Sequence, residues 1–238
     1  DFLDFGTLEK RKTAVHDEVR LNRRLAQGLY HDPCPLTEGR DGRLALDGTG
    51  PVVDWLVVMR RLPADRDLET MIAEDRLRPD HLAGVADRLS AFYQSLPPED
   101  IAPRELAESF GKEHRITASV LTDPDLALDG ARLDTAIAGF EARLQAVRPA
   151  LDHRVEMGRI VEGHGDLRPE HVFLTDPPVI IDCLEFNRRL RLVDPFDEIA
   201  FLGMEAAALG AEAVFATLAT RLMDALDDRP PAELLAFY

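Results

Sequence analysis

Residues 163–182 constrain this chain more than any other stretch of it. A polar, glycine-containing loop with Asp166 at its centre comes first, and a short apolar run follows at residues 172–174. A Pro-Pro turn then leads to a second apolar run that ends in Asp182. Short apolar runs on either side of a turn are typical of β segments. The pattern therefore predicts that Asp166 and Asp182 lie at the ends of neighbouring strands.

Two carboxylates held close together suit phosphoryl transfer. One accepts or orients a proton, and the other holds a divalent cation beside phosphate oxygens. Each acid also has an ordinary structural interpretation, because Asp166 would serve equally as a loop cap and Asp182 as an acid satisfied by a turn.

The composition limits the class of protein. A chain of 238 residues can bury a substantial core, as one large domain or as two lobes that share a cleft. With 45% hydrophobic residues and no long apolar run, it is expected to contain no transmembrane helix. No signal peptide is visible, and two cysteines, Cys34 and Cys183, cannot build a disulfide framework. We therefore expect a soluble, cytoplasmic protein.

The charge argues against two kinds of partner. The formal net charge is −16, from 44 acidic and 28 basic residues, which disfavours nucleic acid and anionic membranes. A cationic substrate is compatible with this charge, although solubility explains an acidic surface equally well.

The secondary-structure pattern predicts a small mixed lobe before Pro63 and a mostly helical lobe after it, an α+β bilobal layout. Apolar spacing, β-branched runs and capping residues carry this prediction. The expected elements are a helix at about 8–28 capped by Thr7, strands at 43–46 and 52–59, helices near 82–96 and 133–147, a helix from Asp194 to about 210, and two C-terminal helices.

Residues 163–171 carry a family resemblance. The sequence resembles the aminoglycoside phosphotransferase family, the small-molecule branch of the protein-kinase-like fold, whose catalytic loop reads His-Gly-Asp-Leu-x-x-x-Asn. The likeness spans nearly the whole chain. Within the family, the chain is similar to an uncharacterised bacterial branch whose members often carry a fused P-loop kinase-like domain. The likeness is specific at residues 18–25, 57–62, 163–182 and 185–187. It implies a partial N-terminal lobe at residues 1–62, apparently without its first strands, and a helical C-terminal lobe at residues 63–238.

The resemblance implies roles for the residues around the loop. Asp166 would accept the proton of a substrate hydroxyl, and Asp182 would hold the magnesium ion between the β- and γ-phosphates. His164, in the catalytic loop, would support that loop by hydrogen bonding. Arg168 would contact phosphate or an acidic substrate group, or pair with a surface acid. Glu185 would lie behind the metal or hold its own loop.

The resemblance also implies a nucleotide site. Glu18 would be the helix acid that pairs with a strand lysine, its ordinary interpretation being a solvated helix residue. The backbone of Met59, Arg60 and Arg61 would form the hinge that reads the adenine edge, unless this segment is a plain strand end. Asp197 would brace the catalytic loop through backbone amides.

Two departures from the family pattern bear on activity. His171 occupies the place of the family asparagine, so it would bind a metal other than magnesium, contact phosphate, or mark weakened catalysis. The strand lysine has no candidate, because Lys10 and Lys12 fall in the helix that carries Glu18. We interpret this as truncation of the small lobe. This chain contains no P-loop motif, so a P-loop domain is expected either to lie outside it or to be absent.

The expected function is an ATP-dependent phosphotransferase that modifies a hydroxyl of a small molecule, with ATP and Mg²⁺, or Mn²⁺, as cofactors. One alternative is a non-catalytic nucleotide-binding or regulatory module of the pseudokinase kind. Another is a metal-dependent hydrolase that uses His164, Asp166, His171 and Asp182 as ligands.

Overall fold

The structure is a computed structural model that describes residues 4–238. Residues 1–3, part of the predicted first lobe and of the family resemblance, lie outside the described residues. The chain is a mixed α+β protein, mostly helical, with small antiparallel sheets. The helices are α1 (Leu8–Asn22), α2 (Leu68–Ala73), α3 (Pro79–Ser95), α4 (Pro103–Leu121), α5 (Gly130–Glu156), α6 (Pro195–Ala208), α7 (Ala213–Leu226) and α8 (Ala232–Leu235). The strands are β1 (Cys34–Glu38), β2 (Leu44–Leu46), β3 (Val52–Leu56), β4 (Val161–Glu162), β5 (Val172–Phe173), β6 (Val179–Ile180) and β7 (Leu192–Val193).

The first part of the chain joins helix α1 to a three-stranded sheet of order β2-β1-β3. The Thr7 side chain caps α1 by accepting the amide of Lys10 at 3.3 Å, as the sequence predicted. Arg11 pairs with Asp54 of β3 at 2.8 Å, which fastens the helix to the sheet.

Helix α1 and strand β3 are shorter than predicted. The helix ends at Asn22, and turns carry the chain to Gly28, whose φ of +71° suits a residue without a Cβ. Strand β3 ends at Leu56, and Met59 instead forms an isolated bridge with Tyr30. Strand β1 was not predicted, because Pro35 obscures its pattern.

The main hydrophobic core lies beneath the acid-bearing segment. Helices α3, α6 and α7 pack against Leu167, Val172 and Ile180. All three of these side chains are buried, so the core holds the loop and the β5-β6 hairpin from below. Within residues 4–238, no helix combines the length and the hydropathy needed to cross a membrane.

Helices α4 and α5 form a long hairpin at the side of this core. Helix α5 is longer at both ends than the helix predicted near 133–147. Helix α4 was not predicted. Asp194 caps α6 as predicted and accepts the amide of Phe196 at 2.9 Å. Helix α6 ends at Ala208, two residues earlier than expected, and α7 and α8 are the two predicted C-terminal helices.

Candidate active site

Asp166, His171 and Asp182 converge at one end of the β5-β6 hairpin. Asp166 lies in the loop after β4, His171 ends a 3₁₀ turn, and Asp182 follows β6. The antiparallel pairing extends past the strands, since the Ile181 amide donates to the His171 carbonyl at 3.0 Å. One ligand atom from each of the three side chains lies within 4.8 Å of the others. The predicted meeting of the two acids is therefore confirmed.

His171 bridges the two acids. Its Nδ1 lies 2.8 Å from the backbone carbonyl of Asp166, and its Nε2 lies 3.1 Å from the Asp182 carboxylate. A carbonyl only accepts, so Nδ1 carries a hydrogen and Nε2 faces Asp182. Burial opposes the charged ring, but the hydrogen bonds to Asp182 and to the Asp166 carbonyl outweigh it and raise the pKa of His171.

The two carboxyl groups are in different environments. Burial raises the pKa of Asp166, although His171 and Arg168 oppose the shift. The pKa of Asp182 is lowered, mainly because His171 donates a hydrogen bond to it. Asp182 is also exposed and has a left-handed backbone, with a φ of +62°, at a cost of roughly 1–2 kcal/mol. A strained, exposed acid beside a half-buried one is an arrangement found at functional sites.

These three side chains form a plausible donor set for a divalent cation. Two carboxylates and one imidazole suit manganese or zinc better than magnesium, which prefers oxygen ligands alone. The hydrogen bond from Nδ1 of His171 to a carbonyl fixes the ring and leaves Nε2 as the coordinating nitrogen, as is usual for metal-binding histidines.

A buried acid braces the loop from below. Oε1 of Glu198 accepts the amides of His164 and Gly165, both at 2.7 Å, and Oε2 accepts the Tyr93 hydroxyl at 2.6 Å. The prediction that Asp197 braces the loop is wrong by one position, because Glu198 accepts the loop amides. Successive helical residues point about 100° apart, and the helix phase directs Glu198 towards the loop.

The loop glycines are required by close packing. A Cβ at Gly163 would lie 2.5 Å from Val193 Cγ2 and 2.8 Å from the Glu198 carboxylate. Gly165 has a φ of +88°, and a Cβ there would lie 2.8 Å from Arg191 Cγ. The backbone therefore approaches its supports more closely than any larger residue allows.

His164 supports the loop and is not one of the three possible metal ligands. Its side chain is buried, Nε2 lies 2.8 Å from the Ile181 carbonyl, and Nδ1 accepts the Asp166 amide at 3.3 Å. Burial lowers its pKa to about 4, so the ring is neutral. Both nitrogens are occupied, so the four-ligand set of the hydrolase alternative is wrong with respect to His164.

Two residues that were not predicted from the sequence reach the site from the end of α1 and the turn after it. Asn22 accepts the amide of Cys183 at 2.9 Å and is almost fully buried. Arg24 donates to the carbonyls of Glu162 and Gly163, both at 2.7 Å. The only trace of them in the sequence is the polar run at residues 22–24 between the apolar residues Leu21 and Leu25. Such a run does not show which polar side chains are buried, because their hydrogen-bond partners lie elsewhere in the sequence.

Arg168 lies against acids rather than over the loop. It donates to Glu205 at 3.1 Å and lies 3.0 Å from the Glu170 carboxylate. The structure therefore matches the predicted surface-acid pairing of Arg168.

Glu18 faces the site from α1 without a cationic partner in the described chain. Burial raises its pKa, and the negative charges of Glu185 and Asp182 add to the shift. The lysines lie elsewhere, as Lys10 pairs with Asp4 and Lys12 lies over the Trp55 ring. Both belong to α1, as predicted, and Lys112 belongs to α4.

The predicted hinge, residues 59–61, directs the backbone amide of Arg60 towards the protein and the backbone groups of Met59 and Arg61 away from it. The amide of Arg60 donates to the Leu29 carbonyl at 2.9 Å, so it is not free to read a base. Between residues 4 and 238, no protein group hydrogen-bonds to the amides or carbonyls of Met59 and Arg61. Those groups are the ones left for a ligand.

A cavity of about 560 Å³ adjoins the loop on the side of α4 and the segment 187–193. Leu190 and Val193 line it and also contact the loop glycines, while Asp197 lines another part of its wall. Burial raises the pKa of Asp197 to about 7, with further contributions from Asp194 and Glu198.

The chain is similar to mycobacterial proteins without an assigned activity. These are uncharacterized proteins Rv2004c and MT2060 of two Mycobacterium tuberculosis strains and uncharacterized protein Mb2027c of Mycobacterium bovis. Each is 29% identical over 244 residues, covering 100% of this chain and 47% of the relative. The chain thus spans about half the length of these relatives. No protein-family model matches it.

Proposed function

We propose that this chain is the site-bearing part of an ATP-dependent phosphotransferase of the aminoglycoside phosphotransferase type, with a kinase-like bilobal fold divided near residue 62. The acceptor would be a hydroxyl group of a small molecule. The observation that carries the proposal is the convergence of Asp166, His171 and Asp182 within 4.8 Å at the end of one hairpin.

Asp182 and His171 would hold the cation, which fits their exposed oxygen and oriented Nε2. The free backbone groups of Met59 and Arg61 fit the edge of an adenine. When bound, ATP and its metal ion supply the transferable phosphoryl group and neutralise its charge. A lysine for the phosphates is not found among residues 4–238, where the lysines lie on helices.

Asp166 would act as the base. Its raised pKa makes it a better proton acceptor than an ordinary aspartate, and its half-buried carboxylate remains open to a substrate. It would take the hydroxyl proton as the acceptor oxygen bonds to the γ-phosphorus and the bond from that phosphorus to the bridging oxygen breaks, with ADP as the leaving group. His164 and Glu198 would keep the loop in place during this step.

The cavity beside the loop would bind the acceptor. Its wall combines apolar side chains with acids, and it shares Leu190 and Val193 with the packing of the loop. Filling it provides a test with a closely matched control. Ser109 lines the cavity, so Ser109→Trp would fill it with a large side chain. Ser119→Trp is the control, because Ser119 lies in the same helix outside the cavity and its hydroxyl makes the same local hydrogen bond.

The proposal is tested by titrating the protein with Mn²⁺ and Mg²⁺, followed by electron paramagnetic resonance and calorimetry, with and without ATP. We expect Mn²⁺ to bind more tightly than Mg²⁺, Asp182→Ala to lose the metal, and Asp166→Asn to keep nucleotide binding but abolish transfer to a hydroxyl. Asp224→Asn, an exposed acid paired with Arg229, is the control. Retained transfer in Asp166→Asn would remove this residue from the mechanism, and absence of both metal and ATP binding would reject the function.

A second candidate, a metal-dependent hydrolase, is favoured by the imidazole in the donor set. It would need Asp166, His171 and Asp182 but no nucleotide. Hydrolysis of phosphate esters with Mn²⁺ or Zn²⁺ alone, unaffected by ATP, would favour it. Binding of ATP without transfer to any acceptor would instead favour the non-catalytic module.

A further inference from the structure

Two segments on either side of the β5-β6 hairpin must be held in register for the site to form. Asp166 belongs to the loop after β4, and Asp182 belongs to the segment after β6. Their side chains meet only through His171, which hydrogen-bonds to both residues. The backbones of the two segments also meet directly, because the Leu184 amide donates to the His164 carbonyl at 3.2 Å. Further connections would keep the distance between the carboxylates constant.

The end of α1 provides such a connection. The guanidinium of Arg24 donates to the carbonyls of Glu162 and Gly163, both at 2.7 Å, just before the loop. Its NH2 group also lies 3.2 Å from Cys183 Sγ, next to Asp182. A planar guanidinium with several donors in fixed directions is suited to holding several acceptors at once.

Asn22, two residues earlier, contacts the second segment. Its Oδ1 accepts the amide of Cys183 at 2.9 Å, and its Nδ2 donates to the Glu18 carbonyl in α1 at 2.9 Å. The Cys183 thiol in turn donates to the His164 carbonyl at 3.1 Å, which links the two segments directly. Asn22 and Cys183 are almost fully buried, so water cannot replace these contacts without opening the structure.

We propose that Asn22 and Arg24, here called the clamp, are positioning residues that set the separation of Asp166 and Asp182. The clamp contributes none of the three candidate ligand side chains, and it acts through the backbone at residues 162–163 and 183. This inference rests on the proposed function, because it assigns the clamp to that metal site. It also explains why the polar side chain that ends α1 and one in the turn after it are directed towards these two segments.

Arg88 provides a matched control. It lies in α3 and donates to the carbonyls of Arg24 and Leu25, at 3.4 and 3.3 Å, so it anchors the end of α1 as well. It makes no hydrogen bond to the loop or to Cys183. A loss that comes only from loosening α1 would therefore appear in Arg88→Ala too.

The experiment measures Mn²⁺ affinity by electron paramagnetic resonance in the wild type, Arg24→Ala, Arg24→Lys and Arg88→Ala, with thermal unfolding of each. Loss of a residue that orients metal ligands typically weakens affinity by about 10- to 100-fold. We expect that loss in Arg24→Ala, a smaller loss in Arg24→Lys, which has one point charge, and none in Arg88→Ala. Unchanged affinity in Arg24→Ala, or an equal loss in Arg88→Ala, would overturn the clamp.

Amide hydrogen exchange at Gly165 and Cys183 separates this inference from the proposed function. If the wild type binds no Mn²⁺, the metal-dependent function is rejected. The amide exchange rates then test the clamp independently of that function. Faster exchange of both amides in Arg24→Ala than in Arg88→Ala would support a clamp that orders the two segments. Equal exchange in the two variants would overturn it.

Discussion

The loop at residues 163–166 and the tip of the α4-α5 hairpin are held in place by different kinds of contact. The loop backbone is hydrogen-bonded by side chains from distant elements, among them Glu198 and Arg24. At the hairpin tip the side-chain hydrogen bonds are local, as from Thr122 to the Ala118 carbonyl. Apolar side chains there remain outside the core, with Val120 58% exposed.

The difference shows where this chain maintains exact geometry. Hydrogen bonds are directional, and a buried donor that loses its acceptor is costly, so the loop tolerates little displacement. Exposed apolar contacts have no preferred direction and lose little when one side chain is changed. Substitutions in the loop supports should therefore have larger effects than substitutions at the hairpin tip.

The largest effect is expected for Glu198→Ala. Three buried donors, the amides of His164 and Gly165 and the Tyr93 hydroxyl, would lose their acceptor, which lowers the free energy of unfolding by about 3–6 kcal/mol. Glu205→Ala in the same helix removes only a surface ion pair and should cost less than about 1 kcal/mol. Urea unfolding measures both, and equal losses would contradict a special role for Glu198.

The next effect is expected for Gly165→Ala. Both Gly165 and Gly210 have positive φ, so alanine strains either position by about 1–2 kcal/mol. Only at Gly165 would the Cβ also approach Arg191 Cγ to 2.8 Å, whereas at Gly210 nothing lies within 4 Å. We expect an additional loss of about 1–3 kcal/mol at Gly165 and weakened metal binding. Two variants of equal stability would show that close packing does not constrain the loop.

A smaller effect, of opposite sign, is expected for Asp197→Asn. The pKa of Asp197 is raised to about 7 from an ordinary value of 3.8. The stability contributed by its protonated form is present below pH 3.8 and is lost as the pH rises through 7. The variant should therefore gain stability over the wild type across this window, by no more than about 4 kcal/mol at pH 8. Thermal unfolding between pH 4 and 8 measures the gain, with Asp224→Asn as the exposed control.

A gain that does not change with pH would show that Asp197 does not titrate in this window. The gain in stability of Asp197→Asn would then come from the asparagine amide and not from the removal of a titrating group.

The smallest effect is expected for Val120→Ala at the hairpin tip. Its side chain is largely exposed, so the change in the free energy of unfolding should stay within about 0.5 kcal/mol. Val147→Ala in α5 of the same hairpin removes a buried side chain and should cost about 1–2 kcal/mol. Chemical denaturation of both variants checks this, and a large loss at Val120 would mean that the tip is packed more firmly than its exposure indicates.

Features set by nearby residues were visible in the sequence. Thr7 and Asp194 cap helices through amides two or three positions away, and both caps were predicted. The short apolar runs around the Pro-Pro turn indicated that Asp166 and Asp182 would meet, because strand pairing across a turn is also local in sequence.

Features set by distant contacts were decided by the tertiary structure. The choice of Glu198 over Asp197 depends on the phase of α6 against the loop, and a shift of one residue turns a side chain by about 100°. Arg24 reaches the Gly163 carbonyl across 139 positions of sequence, and no local pattern encodes such a partner. The sequence determined the acids and the local elements that carry them, whereas packing decided which side chains hold those acids at a working distance.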